Sequence, residues 1–259
     1  MKTLFFLLFS LICHNKWNPQ AIDCPQNFDN LADGICTIIR EGTFDFCSAN
    51  NACHQMGLSR NLRVHPIGMN LTKITSQLKR PGSMYTSINK LLRPDKANRA
   101  GWRVGVPGQG NFKTQGDEMD LWCNSHPDNI GAAVTAVIGG SLHQVSVGGH
   151  GSSVLCEWAG LGSSLRIVSG TEMFSAHFPE SMSNLFFARS QINGCIEKTS
   201  AGTLIECAKI CKLEYRCRSF YFNNKMRKCY MALYVDSLLS SEDKAQSESD
   251  WVRYARPNW

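Results

Sequence analysis

The sequence predicts an α+β chain built from two disulfide-stapled domains, and three observations carry that reading. Twelve cysteines are distributed over 259 residues, with an apolar leader at the start. Four of them fall between Thr203 and Cys229, in TLIECAKICKLEYRCRSFYFNNKMRKC. There Cys207 and Cys211 share one helical face with Leu204 beside them, and two strand-like runs follow. A second set lies far apart in the first half: a helical pattern around Phe46, Ala49 and Cys53, and a β-rich stretch, Ser153 to Trp158, around Cys156.

Met1-Lys2 precedes an apolar run from Leu4 to Cys13, too short to span a bilayer and suited to the core of a secretory signal, so residues 1–21 are expected to be a signal peptide. Later in the chain no apolar run reaches membrane-spanning length, and the ending Asp250 to Trp259 lacks a hydrophobic tail for a lipid anchor. The expectation is a secreted, extracellular protein, in which so many cysteines are natural. Asn70-Leu71-Thr72 is a glycosylation sequon and marks Asn70 as a candidate glycan site on an exposed loop. A hydrophobic fraction of 43% and this length leave room for two domains of about a hundred residues each.

In the first domain, expected over residues 24–159, Cys24 to Cys36 brackets an Asp33-Gly34 hairpin signal. Thr43 is placed as the N-cap of the helix that follows, with Gly57 as its stop. Trp102-Arg-Val-Gly105-Val and Trp122-Cys-Asn-Ser-His126-Pro127-Asp128-Asn129 occupy the middle. Two β-rich runs, Ala132 to Ile138 and Leu142 to Val147, flank a Gly139-Gly140 turn, and Gly148-Gly-His-Gly151 reads as a tight loop whose glycines permit positive φ. Together these stretches resemble the C-type lectin-like domain in its long form. That resemblance implies an N-terminal hairpin closed by Cys24–Cys36 and a bridge from the first helix to the closing strand, Cys53–Cys156.

Sugar-binding members of that family hold calcium with a Glu-Pro-Asn or Gln-Pro-Asp triplet and further carboxylates, since Ca²⁺ takes six to eight oxygen ligands. Here the triplet is His126-Pro127-Asp128, and Leu142-His143-Gln144 stands in place of Trp-Asn-Asp. No cofactor is therefore expected, and calcium is not expected at the usual position. Asp117, Glu118 and Asp120, with His126 and Asp128, form a possible ligand loop, against the plainer reading of a solvated acidic loop.

Residues 160–173 read as a linker and 174–256 as the second domain. Its Cys-x3-Cys-x5-Cys-x11-Cys spacing and Phe220-Tyr221-Phe222 strand resemble the PAN/apple module, which implies one helix tied to an antiparallel sheet by Cys207–Cys229 and Cys211–Cys217. Cys195 sits where the module's third bridge would begin, but no cysteine follows Cys229. A zinc site on Cys207, Cys211 and Cys217 is the competing reading, and it lacks the Cys-x2-Cys pairs of such sites. Once the leader's Cys13 and the four implied bridges are set aside, Cys47, Cys123 and Cys195 remain. Cys47 can pair with Cys123, leaving Cys195 odd, or Cys195 can bridge a disulfide-linked homodimer.

The charge of +6 is clustered: eleven Lys/Arg and one acid lie between Ser59 and Lys113, and eight Lys/Arg and three Glu between Cys195 and Tyr230. Lys209, Lys212 and Arg216 fall at helical spacing opposite the cysteine face, an outward stripe suited to polyanions. Asp236 to Asp250, with five acids and one Lys, reads as an exposed loop before the last strand, Trp251 to Tyr254, that partly shields this stripe. Gly-x-Ser-x-Gly, His-Glu-x-x-His and phosphate-loop patterns do not occur, and His126, His143 and His150 are set down as surface or core histidines, so no enzyme or metal is expected. Two functions follow. One is a recognition protein for extracellular glycans, glycosaminoglycans or cell-surface proteins, without nucleic-acid partners. The other is an extracellular assembly component that oligomerises through its modules and an odd cysteine.

Overall fold

The computed structural model describes residues 23–32, 34–74, 78–94, 98–116, 120–128, 131–160, 171–189, 192–246, 250–257 and 259. The leader, Asp33, Asp117, Glu118, Asn129 and residues 161–170 of the expected linker lie outside them.

The first half opens with the hairpin β1 (Asp29–Ala32) and β2 (Ile35–Phe44), closed by Cys24–Cys36. Helix α1 (Phe46–Leu58) follows directly. Its N-cap is Asp45 rather than Thr43, which still belongs to β2: Asp45 accepts from the Ser48 backbone N–H while the Ser48 hydroxyl reaches back to the Asp45 N–H. Helical spacing buries Phe46, Ala49 and Cys53 completely, as the pattern requires. Gly57 lies inside the last turn, and Ser59 is the C-cap. A Cβ on Gly57 would stand 2.5 Å from the Leu62 carbonyl oxygen, so the glycine serves close approach and not a left-handed stop.

The remaining strands of this half are β3 (Val64–Pro66), β4 (Ser83–Asn89), β5 (Arg103–Val104), β6 (Val134–Ile138), β7 (Ser141–Val145) and β8 (Gly151–Trp158), with the short helix α2 (Leu71–Ile74) after β3. They form one sheet in the order β1-β2-β8-β4-β6-β7, with β3 also on β8 and β5 on β4. Cys53–Cys156 ties α1 to β8 across the sheet's core. Gly139 and Gly140, both at positive φ, make the tight β6–β7 turn expected of that pair. Gly149 and Gly151 have ordinary φ; instead Tyr85 packs on them, its hydroxyl donating to the Gly149 carbonyl at 2.7 Å, and a Cβ on Gly151 would meet its ring at 2.8 Å.

The second half is a four-stranded antiparallel sheet, β12-β10-β11-β9, built from β9 (Ile196–Ser200), β10 (Cys217–Asn223), β11 (Lys228–Leu233) and β12 (Trp251–Ala255). Helix α3 (Leu204–Leu213), capped by Thr203, is fastened to it by Cys207–Cys229 and Cys211–Cys217. The segment before β12 is less exposed than its composition suggests. Leu238 and Leu239 are buried, and Asp236 pairs with buried Arg253 and accepts from the Ser219 hydroxyl, so the segment is partly core.

The two halves are joined covalently and share one buried apolar cluster. Cys47 of α1 bonds Cys195, immediately before β9, which corrects both earlier alternatives: Cys195 is not odd, and Cys47 does not pair with Cys123. Sequence separation hid this pairing, because 148 residues lie between the partners. Around the bond, Phe46 and Leu91 belong to the same cluster as Phe220, Val235 and Leu238, and the Leu238 N–H donates to the Leu91 carbonyl at 3.1 Å. Tyr234 donates to Asn51 Oδ1 at 2.9 Å. The Trp259 ring, stacked between the Arg63 and Arg218 guanidiniums at 4.5 and 4.8 Å, closes the same joint.

Candidate functional site

Of the expected polyanion stripe, only part survives. Helix α3 ends at Leu213, so Arg216 lies beyond it. Its guanidinium is held by Glu214 at 2.7 Å and Glu197 at 3.1 Å, which spends its charge inside the second half. Burial raises the Glu214 carboxyl, but the hydrogen bonds and charge of Arg216 outweigh it and hold the acid below its ordinary range. Lys209 is exposed and Lys212 half-buried, in company with exposed Ile205 and Leu213. The acidic residue Asp243 binds Lys198 at 2.8 Å and not the α3 lysines.

The expected ligand loop divides similarly. Asp120 is exposed, and Asp117 and Glu118 lie outside the described residues. His126 Nδ1 stands 3.3 Å from Asp128 Oδ1, and its ring lies 4.9 Å from that of His143. Burial, then repulsion from His126, lowers the His143 pKa against a backbone hydrogen bond at Ile138. His150 is exposed just before β8. Among the described residues, no three His, Cys, Asp or Glu side chains converge as metal ligands do. Cys123, half-buried beside Trp122, is the cysteine left without a partner among the described residues. Asn70 is half-buried, and its side-chain amide donates to buried Glu157, so this sequon does not sit on a freely exposed loop.

A different site emerges where the halves meet. Arg93 follows β4, Arg103 lies on β5 and Lys113 stands in the loop beyond it, while Glu180 comes from the segment leading into the second half. Glu180 Oε1 is 3.4 Å from Arg93 Nε and 3.2 Å from Arg103 Nη2, and Oε2 is 3.8 Å from Lys113 Nζ. Burial raises the Glu180 pKa; Arg103, Arg93 and Lys113 together overcome that and lower it. An open groove of about 430 Å³ lies over Arg93, Lys113 and Glu180, walled by Asn98, Ala100, Thr114 and Gln115. The basic excess before Lys113 is visible in the sequence. Its acidic counterpart, 67 residues further on, carries no sequence signal.

A separate small pocket of about 30 Å³ between the halves is lined by His54, Arg63, His65, Tyr215, Tyr234 and Trp259 among others. Burial, with repulsion from Arg256, lowers the Arg63 pKa to about 10, so it stays cationic at neutral pH. The volume suits one or two waters and no larger ligand.

Comparison with known proteins bears on both halves. Residues 186–252 match the family model of the PAN domain. No curated protein sequence matches the chain. Among solved structures, the chain is similar over 52% of its length to 95% of the cow C-type carbohydrate-recognition domain of CD23, at 13% identity and a TM-score of 0.38. It is similar over 52% of its length to 98% of the human scavenger receptor C-type lectin carbohydrate-recognition domain, at 18% identity and 0.39. A calcium-independent type II antifreeze protein aligns over 96% of its length with 54% of this chain, at 13% identity and 0.39. The architecture is α+β, an eight-stranded sheet with α1 followed by a four-stranded antiparallel sheet with α3, and the PAN match lies in the second. Its disulfides Cys24–Cys36, Cys53–Cys156, Cys207–Cys229 and Cys211–Cys217 are the four that the motifs imply. Five disulfides fit an extracellular protein, and among the described residues no helix is long and apolar enough to cross a membrane.

Proposed function

We propose that this is a secreted, non-catalytic recognition protein that binds carbohydrate or protein ligands outside the cell, without calcium at the usual lectin position. Its two modules, divided at residues 160–173, act as one body. The observation that carries this reading is the Cys47–Cys195 weld between α1 and the start of β9, which fixes loops of both halves into a composite surface. Rigid presentation of loops from a scaffold is the physics of recognition: little entropy is lost on binding when the loops are already held. Fold alone leaves the ligand open, since both kinds of module take sugars and proteins.

An array of glycans and extracellular proteins, probed with the whole chain at physiological salt with and without calcium, tests the proposal. The expected result is a defined ligand set that EDTA does not abolish. Binding that requires calcium would refute the calcium-independent part, and a chain that binds nothing would refute the recognition reading. A second reading, an assembly component, is favoured by one observation: Cys123 is half-buried and unpaired, so it can reach a sister chain. Non-reducing electrophoresis with a Cys123→Ser control decides it, since a dimer lost in that variant supports assembly and a monomer throughout removes it.

A further inference from the structure

We propose that the groove at the joint of the two halves binds a sulfated saccharide, with Arg93 and Lys113 as its anion-binding residues and Glu180 as a built-in occupant that the ligand displaces. The inference rests on the recognition reading above and gives that reading a site and a chemical class.

Three observations point there. First, among the described residues the charge is unbalanced: Arg93, Arg103 and Lys113 surround the Glu180 carboxylate, leaving these four side chains with a surplus of two positive charges. Second, the geometry is unsaturated. Arg103 is mostly buried, with 10% of its side chain exposed, and makes the shortest contact, whereas Arg93 and Lys113 are 46% and 41% exposed and stand at 3.4 and 3.8 Å. A guanidinium meeting a carboxylate at its best does so in paired contacts below 3 Å, so both groups retain donors for a second anion. Loose, solvent-accessible ion pairs of this kind exchange partners at little cost. Third, the groove has the size and lining of a sugar site. Its volume of about 430 Å³ falls in the usual range for small-ligand pockets, roughly 300 to 1,000 Å³.

The walls are polar. Asn98 and Ala100 present carbonyl oxygens to Lys90, which is held 2.8 Å from Asn98 Oδ1 and 2.9 Å from the Ala100 oxygen. Thr114 accepts from the Trp102 N–H at 3.0 Å, which fixes the groove's floor to the buried Trp102. A hydroxyl-rich ligand finds amide and carbonyl partners here, and its sulfate finds the position that the Glu180 carboxylate now holds. The two halves contribute opposite parts, because Glu180, the occupant, lies beyond residues 161–170 and the cations that hold it lie before them. On the α3 side, Arg216 is committed to Glu214 and Glu197.

The test is calorimetric titration of a heparin-derived sulfated tetrasaccharide into the whole chain at physiological salt, with the desulfated tetrasaccharide and inorganic sulfate as separate arms. Binding is expected for the sulfated sugar alone. Glu180→Gln should tighten it by on the order of fivefold, and Arg93→Gln and Lys113→Gln should each weaken it by roughly tenfold. Lys113→Arg should restore binding, and Lys209→Gln should leave it unchanged. Thermal unfolding of each variant confirms that the fold is kept. Equal binding by wild type, Arg93→Gln and Lys113→Gln would overturn the groove while leaving the recognition reading in place. So would failure of both wild type and Glu180→Gln to bind the sulfated sugar, if the array finds another ligand. Equal affinity for the desulfated sugar, or competition by inorganic sulfate with no saccharide binding, would overturn the assigned ligand class.

Discussion

The two halves of the chain are cross-linked over different distances. In the second half, Cys207–Cys229 and Cys211–Cys217 span 22 and 6 residues and pin one helix to strands beside it. In the first half, Cys53–Cys156 spans 103 residues, and Cys47–Cys195 spans 148 and leaves that half altogether. Chain entropy makes the long bridges the more stabilising, because they remove more freedom from the unfolded chain. Short bridges set local shape; long ones decide which surfaces face each other. The groove around Glu180 belongs to the second category, and the α3 lysines to the first.

The largest expected effect separates the two kinds of bridge. Replacing Cys53 and Cys156 together with Ala should cost about 4.7 kcal/mol, and replacing Cys211 and Cys217 about 2 kcal/mol, from the loop lengths. Denaturant unfolding checks this, and equal costs would erase the contrast. Next comes the buried pair of the second half. The Arg253 side chain is 2% exposed and pairs with Asp236, so Asp236→Ala leaves a buried charge alone and should cost about 3 to 5 kcal/mol. Joint replacement by Asp236→Leu and Arg253→Met should recover most of that loss.

The helix caps should barely distinguish the halves. Asp45→Ala at α1 and Thr203→Ala at α3 should each cost about 1 kcal/mol, with α1 the more sensitive because its capping box is reciprocal. Smallest is the acid dependence of the joint. The Glu180 pKa is lowered in the folded chain, so its contribution is present above the ordinary value of 4.5 and fades as pH falls through the folded value. The stability difference between wild type and Glu180→Gln should therefore narrow below about pH 4.5, as thermal melts across pH would report. A difference that widened in acid would reverse the sign assigned to this pair.

What the sequence made legible follows the same division. Spacing within a single element was readable: Phe46, Ala49 and Cys53 on one helical face, Cys207 and Cys211 on another, and Gly139-Gly140 at a hairpin. Neighbouring charges were harder, since the Lys209, Lys212 and Arg216 pattern assumed a helix that stops at Leu213. Glu214 and Glu197 then neutralise the last of the three. Local hydrogen bonding also moved a cap by two residues, because the Asp45 and Ser48 pair satisfies more helix donors than Thr43 can. Least legible were partners brought together by the fold alone. Cys47 and Cys195, Leu91 and Leu238, and Arg103 and Glu180 meet only after both sheets are built, and neither periodicity nor motif marks them as pairs.

The claim on which the rest depends is that the two halves form one covalently joined body. Non-reducing proteolysis of the whole chain, followed by mass spectrometry of the linked peptides, tests it most directly. A peptide pair joining Cys47 to Cys195, with Cys123 recovered as a free thiol, is the predicted result. A Cys47–Cys123 peptide pair with Cys195 free would contradict it.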